Sequence, residues 1–266
     1  MTPPHTSHEW NAEEYHRLSA PQFQWGQRVL SELRLCGDEC VLDAGCGTGK
    51  LTQLLLQNLP RGRVVGMDLS RNMVQHAQKN LPPEFGDHAR FVAADLIALP
   101  FRDAFDGIFS TASFHWVLDH EALFHNLFAA LRPGGWLQAQ CGGGPNLARL
   151  RERVRTLSQT PDFSRGLSEF PEPWFFSDAE GAASRLRAAE FREIRTGLEQ
   201  TSFAVPSSQE FQSYLRTFVL HRHLERLPTE SLRQKFVQEL ADASAGDNPP
   251  WTLDYWRLNL RARKPS

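Results

Sequence analysis

The sequence predicts an α/β protein built around a parallel sheet. Short apolar runs alternate with helix-like stretches through the first half of the chain, at the spacing of β-α-β units. A glycine-rich turn follows the first apolar run, which is where open parallel sheets bind ligands. The 266 residues, 41% of them hydrophobic, are enough to bury the core of such a domain.

Five apolar runs of the first half have the length and composition of strands that are buried on both faces. They span residues 40–45, 63–68, 90–95, 105–110 and 135–141. The stretches between them predict helices over residues 50–59, 70–80 and 119–131. Ser70 is a suitable N-cap for the second helix, and the sequence RPGG at 132–135 ends the third and turns the chain into the next strand.

The second half of the chain is richer in helical patterns. Helices are predicted over residues 146–158, 177–189 and 207–245, with a Pro- and Phe-rich loop at 161–176 and strands at 191–203 and 252–263. From this pattern we predict that the segments 143–190 and 206–250 form a helical lid over the carboxyl edge of the sheet.

Composition and charge exclude several classes of protein. A formal net charge of −2 is unlike that of a general nucleic-acid binder, which needs a basic excess. The N-terminal sequence has no apolar core of a signal peptide, and no apolar stretch is long enough to span a membrane. Cys36, Cys40, Cys46 and Cys141 are too scattered for a disulfide scaffold or a zinc site. We therefore expect a reduced, cytoplasmic protein without a metal.

The sequence VLDAGCGTGKL at 41–51 carries the first indication of a ligand. Its glycines follow the pattern G-x-G-x-G, whereas a dinucleotide site prefers G-x-G-x-x-G. Asp43 stands directly before the loop, where a carboxylate would repel a pyrophosphate but would suit a cationic ligand. A ligand that carries an amine and a sulfonium meets that requirement.

Two more acids end the next two predicted strands. Asp68 follows VVGM, at the distance from the loop where an acid accepts hydrogen bonds from both ribose hydroxyls. Asp95 follows FVAA and could accept from the exocyclic amine of adenine. Each acid could instead cap a helix. Three acids in a row beside the glycines favour a ligand with ribose and adenine.

Four further segments, together with this loop, give the chain a resemblance to a known family. They are WNAEEY at 10–15, STASFHWVLDHEALF at 110–124, LRPGG at 131–135 and RLNLRARK at 257–264. With them the chain resembles the class I S-adenosylmethionine-dependent methyltransferases, and more narrowly the trans-aconitate methyltransferase-like group.

The resemblance implies a fold and a cofactor. The fold is Rossmann-like, α/β, with a seven-stranded, mostly parallel sheet whose last strand is antiparallel, plus the helical lid segments. It covers residues 1–266 as a single domain, with residues 21–142 as the cofactor-binding half. The implied cofactor is S-adenosyl-L-methionine, whose methionine portion, ribose and adenine meet the glycine loop and the two later acids. The residues assigned to it are Asp43, Gly45, Cys46, Gly47, Asp68, Leu69, Asp95, Leu96, Ser110 and Ala112.

The reaction that this family catalyses is an in-line displacement, so the main task of the protein is to position a nucleophile. A carboxylate arrives ionised, whereas a phenol or alcohol needs a base. His115 is the candidate base or substrate contact, and the alternative is a polar residue that orients Trp116. Trp116 either walls the methyl site or belongs to the core. These two residues are the catalytic candidates.

The lid carries cationic and aromatic side chains that suit an acidic substrate. We assign substrate binding to Tyr15, His221, Arg222 and His223, although a solvated helix face would look similar. The sequence LHRHLERLP in the lid departs from trans-aconitate enzymes. The prediction is therefore a small carboxylic acid and does not specify trans-aconitate.

Several other functions stay open. The sequence DNPPW at 247–251 resembles a motif of nucleobase amino methyltransferases, but it does not follow the fourth strand and predicts a turn before the last strand. This argues against a nucleic-acid substrate. The alternatives are a methyltransferase for a phenol, an amine or acyl-carrier-bound malonate, an NAD-dependent oxidoreductase, and a non-catalytic nucleoside-binding module. The oligomeric state is not predicted.

Overall fold

Seven strands form one sheet in the structure, a computed structural model that describes residues 9–266. The strands are β1 Cys40–Ala44, β2 Arg63–Asp68, β3 Ala89–Ala93, β4 Phe105–Thr111, β5 Leu131–Gly142, β6 Arg192–Ala204 and β7 Thr252–Arg263. Their order is β3-β2-β1-β4-β5-β7-β6. The first five are parallel, and β7 is antiparallel to both of its neighbours. The predicted fold class is confirmed, including the direction of the last strand.

Helices cover both faces of the sheet and its carboxyl edge. They are α1 Ala12–Leu18, α2 Ala20–Ser31, α3 Lys50–Gln57, α4 Arg71–Asn80, α5 His120–Ala130, α6 Ala148–Ser158, α7 Ser164–Leu167, α8 Ala179–Ala188, α9 Ser208–Tyr214, α10 His221–Glu225 and α11 Glu230–Ser244. A π-helical turn over Leu215–Val219 joins α9 to α10. The prediction of a helical 207–245 is right in type, but the segment is broken into three helices.

Side-chain caps fix where the helices near the strand ends begin. Ser70 caps α4, as predicted, with its hydroxyl accepting from the Met73 amide at 3.3 Å. Asp119 caps α5 in the same way, accepting from the Ala122 amide at 2.9 Å. Because these caps satisfy otherwise unpaired amides, they determine the residue at which each helix begins after its strand.

The RPGG sequence at 132–135 differs from its prediction. It does stop α5, but it lies inside β5 and is not a separate turn. Leu131 already pairs with Phe105, and the register then shifts so that Trp136 pairs with Gly107. The extra residues form a bulge, and Gly134 adopts the left-handed φ of 77° that this bulge requires.

Three apolar clusters divide the interior. One lies between the sheet and α5 with α8, and a second lies on the opposite face with α2 and α3. The third is the core of the lid helices, which we define as α6, α7, α9, α10 and α11. The helix α8 was predicted as part of the lid but packs against the sheet, because its buried face, with Ala182 and Leu186, meets the cluster around α5.

The DNPPW sequence lies directly before β7, as predicted. Asp247 forms ion pairs with Arg153 at 2.7 Å and with Arg149 at 3.2 Å, which ties this turn to α6. These contacts give Asp247 a structural role at a distance from the carboxyl ends of β1 to β3.

In the described part of the chain, no helix combines the length and the apolarity that a bilayer span requires. The prediction that the chain has no signal peptide rests partly on residues 1–8, which lie outside the described residues.

Candidate active site

The glycine loop between β1 and α3 is fixed to β2 by backbone hydrogen bonds. The amides of Gly45 and Cys46 both donate to the Met67 carbonyl, at 2.7 and 2.9 Å. Gly47 has a φ of 53°, and a Cβ at this position would meet no atom within 4 Å. The loop therefore presents bare backbone toward open space at the carboxyl edge of the sheet, which is the space that a ligand needs.

The two later acids lie beside this loop. Asp68 accepts hydrogen bonds from the amides of Gly47 and Ser70, both at 2.9 Å, and burial raises its pKa. Asp95 accepts from the Ile97 amide at 3.1 Å and so caps a short 3₁₀ turn. Both acids also line the same cleft. The observed backbone contacts therefore do not exclude the predicted contacts with a ligand.

Three residues assigned to the cofactor, Asp43, Cys46 and Ser110, do not line the cleft. Asp43 is 2% exposed and accepts from the Thr52 hydroxyl at 2.6 Å, and burial raises its pKa to about 7. The Ser110 hydroxyl donates to the Ala44 carbonyl at 2.6 Å. Cys46 is buried. The contacts of Asp43 and Ser110 lie beneath the loop, so the geometry gives these two residues a positioning role.

The cleft itself has a volume of about 1090 Å³, including its mouth. Most of the predicted site residues meet here: Tyr15, Gly45, Gly47, Asp68, Leu69, Asp95, Leu96, Ala112, Trp116, His221 and Arg222. The open space at Gly47 and the two acids fit a ligand that carries a ribose and an adenine.

The N-terminal segment closes one side of the cleft. Glu9 accepts from the Ser70 hydroxyl at 2.9 Å and from the Asn72 amide at 3.1 Å, at the start of α4. Trp10 lines the cleft, with its ring centroid 5.5 Å from that of Trp116 and 4.1 Å from that of His221. The WNAEEY segment contributes to the family resemblance, but the sequence predicted no role for Trp10.

Behind the cleft lies a smaller cavity of about 490 Å³, which we call the inner chamber. The two cavities share four lining residues, which are Trp10, Tyr15, Ala112 and Trp116. The remaining walls come from α2, β7, the turn after β4, the loops before α6 and after α7, and the π-helical turn: Gln22, Trp25, His115, Asn146, Leu147, Trp174, Phe176, Phe218, Val219, Tyr255 and Arg257. The chamber is thus a largely aromatic space that adjoins the cleft.

His115 lines the inner chamber and not the cleft. Its Nδ1 accepts a hydrogen bond from the Gly142 amide at 3.2 Å. A backbone amide can only donate, so Nδ1 carries no proton and the proton of the neutral ring is on Nε2. Burial, and then the charge of Arg257, hold the His115 pKa well below its usual range. The side chain is thus a hydrogen-bond donor toward the chamber.

His223 is placed differently from its prediction. It lies in the lid core, with its ring centroid 5.3 Å from that of Trp174 and 5.2 Å from that of Phe170, and it lines neither cavity. Burial lowers its pKa to about 4. Because the helix α10 turns His221 and Arg222 toward the cleft, the next residue along the chain faces the lid core.

Arg257 is a site residue that sequence reasoning missed. It is 3% exposed on β7, and its Nε donates to Oε1 of Gln140 at 3.3 Å. Its guanidinium carbon lies 4.9 Å from the centroid of the Trp25 ring. A signal was present, because the alternation of the last strand places this charged residue on the same face as the apolar Leu253.

No three His, Cys, Asp or Glu side chains within residues 9–266 come together in a way that would hold a metal ion. Cys36 is exposed and Cys40 is buried.

Comparison with known proteins finds similarity to methyltransferases. Residues 41–135 match a family described as a methyltransferase domain. The chain is 38% identical to a trans-aconitate 2-methyltransferase of Paracidovorax citrulli over 135 residues, which is 50% of each chain. It thus matches about half the length of that relative. It is 28% identical to the corresponding enzyme of Yersinia pseudotuberculosis over 242 residues, which is 86% of each chain.

Solved structures share the fold at low sequence identity. Phosphoethanolamine N-methyltransferase 2 of Haemonchus contortus, in complex with S-adenosyl-L-methionine, superposes with a TM-score of 0.62 at 17% identity, over 96% of this chain and 57% of that one. Geranyl diphosphate C-methyltransferase of Streptomyces coelicolor gives 0.54 at 16% identity, over 94% and 80%. The acceptors in these two names differ in chemistry, so the shared fold does not define the acceptor.

The matched region covers the glycine loop and both later acids, which line the cleft. Residues 41–135 are therefore similar to a methyltransferase domain, the chain is similar to trans-aconitate 2-methyltransferases over the shares given above, and its cofactor is S-adenosylmethionine.

Proposed function

We propose that this protein transfers the methyl group of S-adenosylmethionine to a carboxylate oxygen of a small acid. The relatives named as trans-aconitate 2-methyltransferases support this acceptor class. The observation that carries it is the protonation state of the groups that line the inner chamber. Among the described residues, none of these groups is able to remove a proton from an alcohol or a phenol.

The titratable lining groups within the described residues are all unsuited to act as a base. Neutral His115 uses Nδ1 to accept from the Gly142 amide, so neither of its nitrogens has a free lone pair. Burial raises the pKa of Tyr15, and it raises that of Tyr255 to about 12. Arg257 is a cation. A carboxylate, with an unperturbed pKa of about 4, needs no base and is the nucleophile that this chamber can use.

The residues of this chain then act by positioning and by excluding water. S-adenosylmethionine supplies a methyl group on a positively charged sulfur. In the proposed reaction a carboxylate oxygen bonds to the methyl carbon as the carbon–sulfur bond breaks, and the electron pair of that bond goes to sulfur. The products are a methyl ester and S-adenosylhomocysteine, and no proton moves.

Each part of the site has a task in this scheme. Asp68 and Asp95 would hold ribose and adenine, and the loop at Gly47 would leave room for the methionine portion. Trp10 and Trp116 form the wall between cleft and chamber and would shield the reacting atoms from water. The Nε2–H of His115 would donate to the acid.

The pH dependence of the rate tests the acceptor class. Purified protein is assayed for S-adenosylhomocysteine formation with trans-aconitate and other small acids from pH 4 to 10. We expect the rate to rise as the acid ionises and to stay flat from pH 6 to 8. A rate that climbs toward pH 10 would indicate a hydroxyl nucleophile and would contradict the proposal.

A matched substitution separates the two roles of His115. Oδ1 of asparagine can accept from the Gly142 amide but cannot act as a base in this pH range. We expect His115→Asn to lose less than about tenfold in kcat, whereas removing a general base usually costs about 10²–10⁴-fold. A loss of the larger size with a hydroxyl substrate would favour the phenol alternative.

Parallel calorimetric titrations with S-adenosylmethionine, S-adenosylhomocysteine and NAD address the remaining classes. Binding of NAD alone would favour the oxidoreductase alternative. Tight binding of both sulfur ligands without turnover on any acid, phenol or amine would favour a non-catalytic module.

A further inference from the structure

A buried cation without an anionic partner lies at the inner chamber. Arg257 is 3% exposed, and within residues 9–266 no carboxylate comes within ion-pair distance of its guanidinium. In this described part its one hydrogen bond is the contact of Nε with Gln140. A guanidinium carries five N–H donors, so the four on its two terminal nitrogens have no protein acceptor here.

The surroundings of Arg257 stabilise the charge only weakly. The face of the Trp25 ring lies 4.9 Å away, which gives a cation–π contact. The other groups that act electrostatically on Arg257 are the thiol of Cys141 and the hydroxyls of Tyr15, Tyr214 and Tyr255. All of these are neutral when their protons are on, so none compensates the charge.

An uncompensated buried charge is costly, and buried arginines are normally paired with carboxylates. The planar fork of a guanidinium matches a carboxylate with two parallel hydrogen bonds. The chamber that Arg257 lines adjoins the cleft and shares four lining residues with it. We propose that Arg257 is the specificity-determining residue of the inner chamber, and that it binds a carboxylate of the substrate other than the one that is methylated.

The separation of the two cavities is the reason for assigning Arg257 to a non-reacting carboxylate. Arg257 lines the inner chamber only, whereas the reacting oxygen must reach the wall that both cavities share. Tyr15 lies in that wall and interacts electrostatically with Asp68 on the cleft side and with Arg257 on the chamber side. In addition, a carboxylate held by two guanidinium hydrogen bonds has fewer free lone pairs for attack.

This assignment rests on the proposed function, since it names the part of an acidic substrate that the same site recognises. It implies that the substrate carries at least two carboxylates. One of them is anchored by Arg257 in the chamber, and another reaches the methyl group.

Two acids and three variants test the anchor. Trans-aconitate carries three carboxylates, and crotonate carries one on the same kind of carbon–carbon double bond. Arg257→Met keeps the length of the side chain and removes its charge, while Arg257→Lys keeps the charge and loses the fork. Arg261→Met is the control, because Arg261 is on the same strand but is paired at the surface with Glu32.

The first readout is binding to the complex with S-adenosylhomocysteine, measured by calorimetry. We expect Arg257→Met to weaken trans-aconitate binding about 100-fold, in the range found when one partner of a buried charge pair is removed. Arg257→Lys should fall between this variant and wild type, and Arg261→Met should match wild type. The affinity for S-adenosylhomocysteine should not change, since Arg257 does not line the cleft.

The folded state of the variant is checked by its melting temperature. Replacing a buried, unpaired charge by an apolar side chain of similar volume is often neutral or stabilising. We therefore expect Arg257→Met to melt no lower than wild type without acid, and to lose the stabilisation that trans-aconitate gives wild type.

The second readout is kcat/KM for methyl transfer. For trans-aconitate it should fall with Arg257→Met about as much as binding does, whereas for crotonate it should stay within threefold of wild type. An equal fall for crotonate would mean that Arg257 holds the reacting carboxylate. Trans-aconitate binding to Arg257→Met within threefold of wild type, or no binding to wild type, would overturn the anchor.

The same experiment distinguishes failure of the anchor from failure of the proposed function. If wild type binds trans-aconitate, Arg257→Met does not, and neither forms a methyl ester, the anchor stands and the proposed function fails. If both proteins form the ester at similar rates, the proposed function stands and the anchor fails.

Discussion

Replacing Asp68 by asparagine is the sharpest test of the cofactor cleft. The carboxylate has about four lone-pair sites on two oxygens. One site on each oxygen accepts a backbone hydrogen bond at 2.9 Å, from the amides of Gly47 and Ser70. Each oxygen therefore keeps a site for one ribose hydroxyl. Asp68→Asn turns one oxygen into an NH₂ group that cannot accept, and it removes the negative charge.

The expected loss of affinity for S-adenosylmethionine follows from the number of acceptor sites that the substitution removes. One hydrogen bond from a ribose hydroxyl to a charged acceptor disappears, which is worth about 1.5–3 kcal/mol. The dissociation constant for S-adenosylmethionine should thus rise roughly 10- to 150-fold. The amide that loses its acceptor adds a cost of about 1 kcal/mol to folding.

Calorimetry with S-adenosylmethionine and S-adenosylhomocysteine measures the first quantity, and chemical denaturation measures the second. Asp119→Asn is a matched control, because Asp119 also caps a helix but does not line the cleft. Affinity of Asp68→Asn within twofold of wild type would refute the ribose role of this acid.

Two further substitutions test the glycine loop and the acid beneath it. Gly47→Val should abolish cofactor binding, because its side chain would project from a left-handed position into the cleft. Gly134→Val, which places the same side chain at a left-handed position remote from the cleft, should bind normally; normal binding by Gly47→Val would contradict the loop assignment. Burial raises the Asp43 pKa to about 7, above that of the unfolded chain, so the folded protein holds an extra proton between about pH 4 and 7. Wild-type stability should therefore fall with rising pH in that window, by up to about 1.4 kcal/mol per pH unit, and Asp43→Asn should reduce the slope when denaturation is measured at several pH values. An unchanged slope would show that Asp43 is not the group responsible.

Local patterns were sufficient for the sheet and for most of the cofactor cleft. Apolar runs marked the strands, and the carboxyl ends of parallel strands must meet at one edge, so Asp68 and Asp95 had to lie near the glycine loop. Ser70 likewise predicted the start of α4. These features depend on residues close in sequence and on the geometry of parallel strands.

The direction in which individual side chains point could not be predicted from the sequence. Asp43 and Ser110 occupy the strand ends that the pattern implied, yet they point beneath the loop, to Thr52 and to the Ala44 carbonyl. His223 follows two cleft-lining residues but turns into the lid core. Adjacent positions face different surroundings in a strand or a helix, and which surroundings those are depends on packing from elsewhere in the chain.

The sequence by itself determined the parallel sheet, the glycine loop and the acids that identify the cofactor, because each is written in short-range periodicity and in strand order. Only the tertiary structure brought Trp10 to His221 and Arg257 to His115 and Tyr15 in one chamber. These residues are far apart in the chain, so no local pattern couples them. Their meeting is decided by how the N-terminal segment, the lid helices and β7 pack together.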